Sequence, residues 1–571
     1  MIRASIFVCL LSFPSISFAI VDMKSANYSE SWMDLAVPGI GYDLRVNRTY
    51  NSRSLFNGMF GFGWCSDYET RVDVTPESNV RLTECGGGVE VNFTPKNFKT
   101  DRIDATVKSI VEEIKRRRPD LKADYVKNLE KELRTNDFMR EEFGRRMNIK
   151  GRVEDGVIYM ANGREAETLS LKGGVLKRTL PDGTYQLFDA ATGRMTAMYD
   201  KNQNHLKLAW DKDTLQSVSD NLGRKLTFKY NPMSKKVAEI IGPENLVARY
   251  SIKGEDLAEA TDAKGQTFKY TYDDVHNLTR IDFADKTYKA LTYNKDKDWV
   301  VSFRNRKGCI ESYDYQVSKN DPQNHYWSNV VKKCDGRVTN QSKYEFFHRP
   351  RPDGTGIFLY RVKTEVNGAT TDIVYHEIFG KPLTITRDGA KTDYVYLDNG
   401  MVKSKREPGR MMEFEYKNSC NKVSQVTIRH FEELPELPGS ENSRKPSQKI
   451  GQEKLVKTVK TKFIYESQKC NLMAADSSDG LKVKLQYDAQ GRISQIEDQS
   501  KKLVKIKYES RFGKPWIVTR PGLGTIQVSY KPDGQIAKVE SKEGQNVAVQ
   551  VASIFNSLLD IIAPATSETQ I

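Results

Sequence analysis

The sequence predicts a mainly β protein, one long antiparallel repeat sheet broken by a small α-helical insertion, and three observations carry that expectation. First, apolar and polar side chains alternate in short runs: Val483, Leu485, Tyr487; Val504, Ile506, Tyr508; Ile526, Val528, Tyr530. A period of two is that of a strand with one buried face. Second, the aromatic ends of such runs recur at intervals of 20–22 residues, through Phe188, Trp210, Tyr230, Tyr250, Tyr272 and Tyr293, then Tyr375, Tyr396 and Tyr416, then Tyr465, Tyr487, Tyr508 and Tyr530. A fixed interval of that size marks a repeat architecture, and one unit has room for two strands and two turns. Third, Asp182-Gly183, Asp388-Gly389, Asn399-Gly400, Asp479-Gly480 and Asp533-Gly534 fall between runs, where tight hairpins need positive φ. In LQSV, LTRI and ISQIE the apolar residues stand three apart. Either a bulge brings them to one face or both faces are covered.

The N-terminus reads as an export signal. Arg3, the apolar run Ile6–Leu11 and the small-residue close at Ser17-Phe18-Ala19 predict a signal peptide over residues 1–19. No later stretch is long and apolar enough for a transmembrane anchor. The expected localisation is therefore periplasm, cell surface or secreted.

Setting aside Cys9, six cysteines remain, an even number suited to an oxidising compartment. Cys65 and Cys85 are equidistant from the turn VTPESN. Cys309 and Cys334 are centred on Asp321-Pro322, and Cys420 and Cys470 flank an insertion. Residues equidistant from a turn face each other in a hairpin, so these three pairs are the expected disulfides.

The formal charge is +14. Its lysines mostly occupy outward strand positions, where they discourage edge pairing. No compact basic block with interleaved aromatics calls for a specific nucleic acid partner.

Residues 20–100 are expected to form an N-terminal β domain. Tyr42, Leu44 and Val46 alternate as a strand, and Gly58, Gly61 and Gly63 lie among Phe60, Phe62 and Trp64 as in a packed core or plug. PGIGYDLRVNRTYNSRS followed by GMFGFGW resembles the opening domain of bacterial Rhs/YD-repeat proteins. Units such as QYDAQGRISQIED resemble the YD repeat itself. The resemblance implies a sheet coiled into a spiral shell or barrel with tyrosines packed inside, and in well-known members that shell encloses a C-terminal toxin.

Residues 101–150 depart from the strand pattern. Ile103, Val107, Ile110, Val111 and Ile114 recur at helical spacing, Pro119 interrupts, and Leu121, Tyr125, Leu129 and Leu133 form a second stripe. Arg116, Arg117 and Arg118 suit a helix C-terminus. From 151 to 541 the repeat returns, loosened between Ser302 and Tyr360 and interrupted by an exposed, Pro- and charge-rich loop at about 430–457. Residues 542–571 contain NVAVQVASIFNSLLDIIAP, which reads as an amphipathic helix, too short for a toxin domain. No DPxG-type self-cleavage motif stands before it.

Little in the sequence points to catalysis. His205, His276, His325, His348, His376 and His430 lack metal-ligand spacing, and no nucleophile elbow or phosphate-binding loop occurs. Cys65 beside Trp64 reads as a disulfide partner. No enzyme activity, cofactor or metal is expected. The expectation is an exported, non-catalytic shell protein with a structural or adhesive role towards cell-surface glycans or envelope components. The alternatives are a carrier enclosing a separately encoded toxin and, further off, a glycan-active enzyme. The ring row (Trp210, Tyr230, Tyr250, Tyr272, Tyr293, Tyr396, Tyr416, Tyr465, Tyr487, Tyr508, Tyr530) is expected to pack the wall.

Overall fold

The computed structural model describes residues 20–95, 101–161, 167–351, 357–433, 453–531 and 534–541. The expected signal peptide, the C-terminal helix and most of the 430–457 loop lie outside the described residues. The flanks of that loop are strand. Gln425–Glu433 and Glu453–Tyr465 pair antiparallel, because the alternation in KLVKTVKTKF runs further than its charge suggests.

Alternation makes one sheet of 36 strands among the described residues, each bonded to its neighbour in chain order from Arg71–Val74 to Ile536–Ser541. The sheet curls back on itself. Arg71 bridges Arg194, and the Val72 N–H reaches the Gly193 carbonyl at 2.9 Å. Turns far apart in the chain then meet along a seam. Lys422 donates to the Pro181 carbonyl, Lys201 to that of Cys470, Asn204 to that of Gln490 and Arg224 to that of Arg511, over sequence separations of 241, 269, 286 and 287. The wall is a coil whose successive turns touch.

A bulge recurs in the units, and it answers the three-apart spacing. Tyr487 pairs with Ile493 while Gln486 pairs with Gln495, so Ser494 is the extra residue and Ile493 shares a face with Ile496. Trp210 with Leu215 and Tyr272 with Leu278 repeat the shift.

The first strands form a sheet of their own. Ile20–Asp22, Asn27–Val37, Leu44–Asn51 and Trp64–Ser66 pair in that order. The stretch expected as an N-terminal domain, 20–100, therefore feeds two sheets, since Arg71–Val74, Val80–Thr83 and Glu90–Pro95 belong to the wall. A single core joins this small sheet to wall residues up to Val330 and again to Phe512, so the wall wraps around it as around a plug. A second core, Tyr394 to Val528, consists of wall residues alone.

Three helices, α1 (Asp101–Arg117), α2 (Ala123–Thr135) and α3 (Asp137–Met147), follow the third wall strand. Their stripes meet in a separate small core around Ile110 and Leu133, with Val126 inside it and the expected Tyr125 exposed. Arg116 and Arg117 pair with Glu113, and Arg118 with Asp120, all at the surface. The bundle sits on the 75–79 turn through a buried Arg140–Glu77 pair and the packing of Gly144 against Pro76. Among the described residues, no helix is long and apolar enough to cross a membrane.

Candidate functional site

The most densely built part of the molecule is the junction of plug and wall. Strand parity puts Tyr28, Glu30, Trp32 and Asp34 on one face of their strand, and Val46, Arg48 and Tyr50 on one face of the next. All are buried, the charged ones included. Arg48, wholly inaccessible, donates to Asp34 at 2.6 Å, and the Tyr250 hydroxyl from the wall donates to the same carboxylate at 2.9 Å. Trp32, Trp64 and Tyr270 surround the guanidinium at 5.2, 4.7 and 5.3 Å. Burial pushes the Asp34 carboxyl up, and Arg48 offsets part of that rise. Glu30 pairs with Lys289 of the wall.

Backbone bonds continue the attachment. Ala263 N–H donates to the Asp34 carbonyl at 2.7 Å, Val237 N–H to that of Met59 at 2.9 Å, and Phe62 N–H to that of Glu255 at 2.9 Å. The Trp64 indole donates to the Tyr272 hydroxyl at 2.8 Å, and Leu278 N–H to the Tyr50 hydroxyl at 2.9 Å. The glycines allow this approach. A Cβ on Gly61, at φ +101°, would lie 2.6 Å from the Glu255 carbonyl oxygen.

Beside the junction lies a cavity of about 280 Å³, lined by Glu69, Arg194, Trp210, Tyr230 and Lys236 among others. Burial pushes the Glu69 carboxyl up to about 7, against backbone bonds from Met59 N–H at 2.7 Å and Ser66 N–H at 2.9 Å, and against the charge of Lys236. Burial also lowers Lys236. Its ammonium donates to the carbonyls of Asn57 at 3.0 Å and Gly58 at 2.8 Å. Lys236 thus holds the 57–62 hairpin to the wall, while Glu69 ties Met59 of that hairpin to the plug strand Trp64–Ser66.

Disulfides join Cys65 to Cys85, Cys309 to Cys334 and Cys420 to Cys470. Only the second lies across one hairpin, next to the Ile310–Lys333 pair. Cys65–Cys85 ties the plug sheet to the wall, because Cys65 is in a plug strand and Cys85 follows a wall strand. Cys420–Cys470 links two turns at one end of the coil, beside the seam.

The ring row forms a ladder. Tyr230, Tyr272, Tyr293, Tyr396, Tyr416, Tyr487, Tyr508 and Tyr530 each donate a hydroxyl hydrogen bond of 2.6–2.9 Å to a carbonyl 14 or 15 residues earlier, and the Trp210 indole does the same. The acceptor is the residue across the bulge from the preceding ring: Ile493, which pairs with Tyr487, accepts from Tyr508. Tyr465 stands across its own bulge from Leu472, the acceptor for Tyr487. Tyr250 does not belong to this row. The bulge comes at Ile252, which pairs with Leu257, so Ile252 holds the ladder position and Tyr250 faces the plug.

The six histidines do not gather. His276 meets Asp256, His325 meets Glu345, and no cluster able to hold a metal occurs among the described residues. The sequence reading passed over Asp34, Arg48, Glu69 and Lys236. For Asp34 and Arg48 the signal was parity, since each shares a face with buried neighbours.

The family profile of a domain of unknown function (DUF6531) matches residues 19–93. No curated protein matches. Among solved structures, the chain is similar to the crystal structure of TcdB2-TccC3-TEV, at 10% identity over 97% of this chain and 29% of that one, with TM-score 0.40. It is also similar to the Photorhabdus luminescens Tc holotoxin pore, at 10% identity over 87% of this chain and 34% of that one, with TM-score 0.34. A third is TcdB2-TccC3 without its hypervariable C-terminal region, at 10% identity over 90% and 32%, with TM-score 0.29. This chain thus spans about a third or less of the length of those it resembles.

Proposed function

We propose that this chain is a container: an exported, non-catalytic shell that encloses a polypeptide guest. The observation that carries the reading is a single coiled sheet whose successive turns touch and whose own N-terminal sheet stoppers part of the interior. Between Val330 and Phe512 the core shared by plug and wall contains no buried residue. Within that interval, strands Ala369–Tyr375 and Pro382–Arg387 contain no fully buried residue, as suits wall exposed on both faces. Three disulfides support an oxidising destination, periplasmic or outside the cell.

The test is co-expression with each polypeptide encoded beside the chain, followed by trypsin. A guest that survives a dose which digests it alone, and is digested once the shell is unfolded, supports the container. A full set of neighbours digested equally with and without the shell overturns it, and leaves the adhesive role towards envelope components as the better reading.

A further inference from the structure

The 57–62 hairpin meets the wall at a lysine. Asn57–Gly58 pairs with Gly61–Phe62, and the Lys236 ammonium donates to the Asn57 side-chain oxygen as well as to the backbone carbonyls of Asn57 and Gly58. The next residue, Val237, opens a wall strand and donates its N–H to the Met59 carbonyl at 2.9 Å. Backbone bonds thus hold an amine against a carboxamide 179 residues away in the chain.

Glu69 lines the same cavity as Asn57 and Lys236. Its carboxyl oxygens stand 2.7 and 2.9 Å from where a Cβ on Gly58 would lie, so the acid sits against the residue next to Asn57. Phe56, Met59, Tyr68, Trp210 and Tyr230 supply the apolar lining. Two further cations of the lining are paired, Arg194 with Asp213 and Arg71 with Asp73. Burial lowers the pKa of Lys236 and raises that of Glu69 to about 7, although each group's charge opposes the other's shift. The amine therefore reaches its neutral, nucleophilic form more readily than an exposed lysine does.

An amine held against a carboxamide, with a carboxyl group beside both, has the parts needed for transamidation. We propose that Lys236 and Asn57 form an intramolecular isopeptide bond, with Glu69 carrying the proton. Lys236 passes a proton to Glu69, directly or through one water, and its neutral Nζ attacks Cγ of Asn57. Glu69 gives that proton to Nδ2 of Asn57 and takes the surplus one from Nζ. The Cγ–Nδ2 bond breaks, the Cγ–Nζ bond remains, and ammonia leaves, taking the proton from Glu69 as ammonium. Nothing is oxidised or reduced, and no further reactant enters. Proximity supplies much of the rate, because the two groups meet without diffusion. The bond fastens the plug hairpin covalently to the wall. It is independent of the container reading, since it forms whether or not a guest is enclosed.

The test is peptide mapping by mass spectrometry on the purified full-length chain, reduced, alkylated and cut with trypsin. The expected product is a branched peptide joining residues 54–71 to residues 236–249, uncut after Lys236 and one ammonia lighter than its two parts. Lys236→Arg keeps a cation for the Asn57 and Gly58 carbonyls and should lose the branched peptide. Asn57→Ala and Glu69→Gln should lose it too, in chains whose circular dichroism matches the parent's. Recovery of 54–71 and 237–249 from the parent as separate peptides overturns the proposal. So does a loss of ammonia from 54–71 that persists in Lys236→Arg, which marks a succinimide at Asn57-Gly58 instead of a cross-link. A Glu69→Gln chain that is still fully cross-linked overturns the part assigned to Glu69.

Discussion

Tyr508 shows what one ring of the ladder contributes. Its ring packs against the wall, and its hydroxyl satisfies the Ile493 carbonyl beside the bulge at 2.7 Å. Tyr508→Phe keeps the packing and loses that bond, so unfolding of the wall in urea should require about 1 kcal/mol less. An unchanged midpoint would show that water serves the carbonyl equally well. Glu69 provides a pH signature. Its folded value, about 7, lies above the ordinary 4.5, so the fold retains a proton that the unfolded chain releases. Its contribution is fully present below pH 4.5 and is lost as pH rises through 7. Thermal stability should therefore decline between pH 5 and 8 more steeply in the parent than in Glu69→Gln, which carries no titrating group there. Parallel curves would remove Glu69 as the cause. Arg48 shows how such residues can be read. It stands between Val46 and Tyr50 in a period of two, so parity points it inward although its charge suggests solvent.

At the scale of elements, the helical insertion is nearly self-contained. Its apolar stripes close on each other, with Val126 rather than Tyr125 in the core, and the Arg140–Glu77 and Arg81–Glu141 pairs attach it to the wall. Removing one partner of a buried pair leaves the other charge uncompensated, at about 3–5 kcal/mol. Arg140→Ala should therefore raise hydrogen exchange across residues 101–147 while the wall strands stay protected. Faster exchange spreading through the wall would show that the helices brace the whole coil. The disulfides illustrate the limit of local reasoning. Equidistance from a turn explains Cys309–Cys334, which lies across one hairpin. Cys65–Cys85 joins two sheets, and its turn at 75–79 carries the helical bundle. The same limit explains why wall strands 71–95 read as part of the N-terminal domain: hairpins look alike whichever sheet they enter.

At the scale of the molecule, the seam differs from the junction of plug and wall. The plug is held by a buried apolar core, whereas the described seam contacts are polar bonds to backbone carbonyls, exposed at Lys422 and Arg224 and partly buried at Lys201 and Asn204. Such contacts add little individually. The double variant Lys201→Ala, Lys422→Ala should leave the unfolding midpoint within a few degrees of the parent. It should, however, admit trypsin at turns of the seam and enlarge the radius measured by X-ray scattering. A variant as compact and resistant as the parent would show that other contacts hold the turns together. The strands, their spacing and the helices were legible in the sequence because they rest on contacts within about one repeat, where periodicity and turn chemistry act directly; the three-apart spacing left a bulge and two covered faces equally open until the pairing was seen. Which aromatic belongs to the ladder at 250–252, which charges are buried at the plug, and which distant turns meet at the seam depended on the curvature of the whole sheet. That curvature accumulates from small twists over 36 strands, and no local run of residues specifies where the coil meets itself.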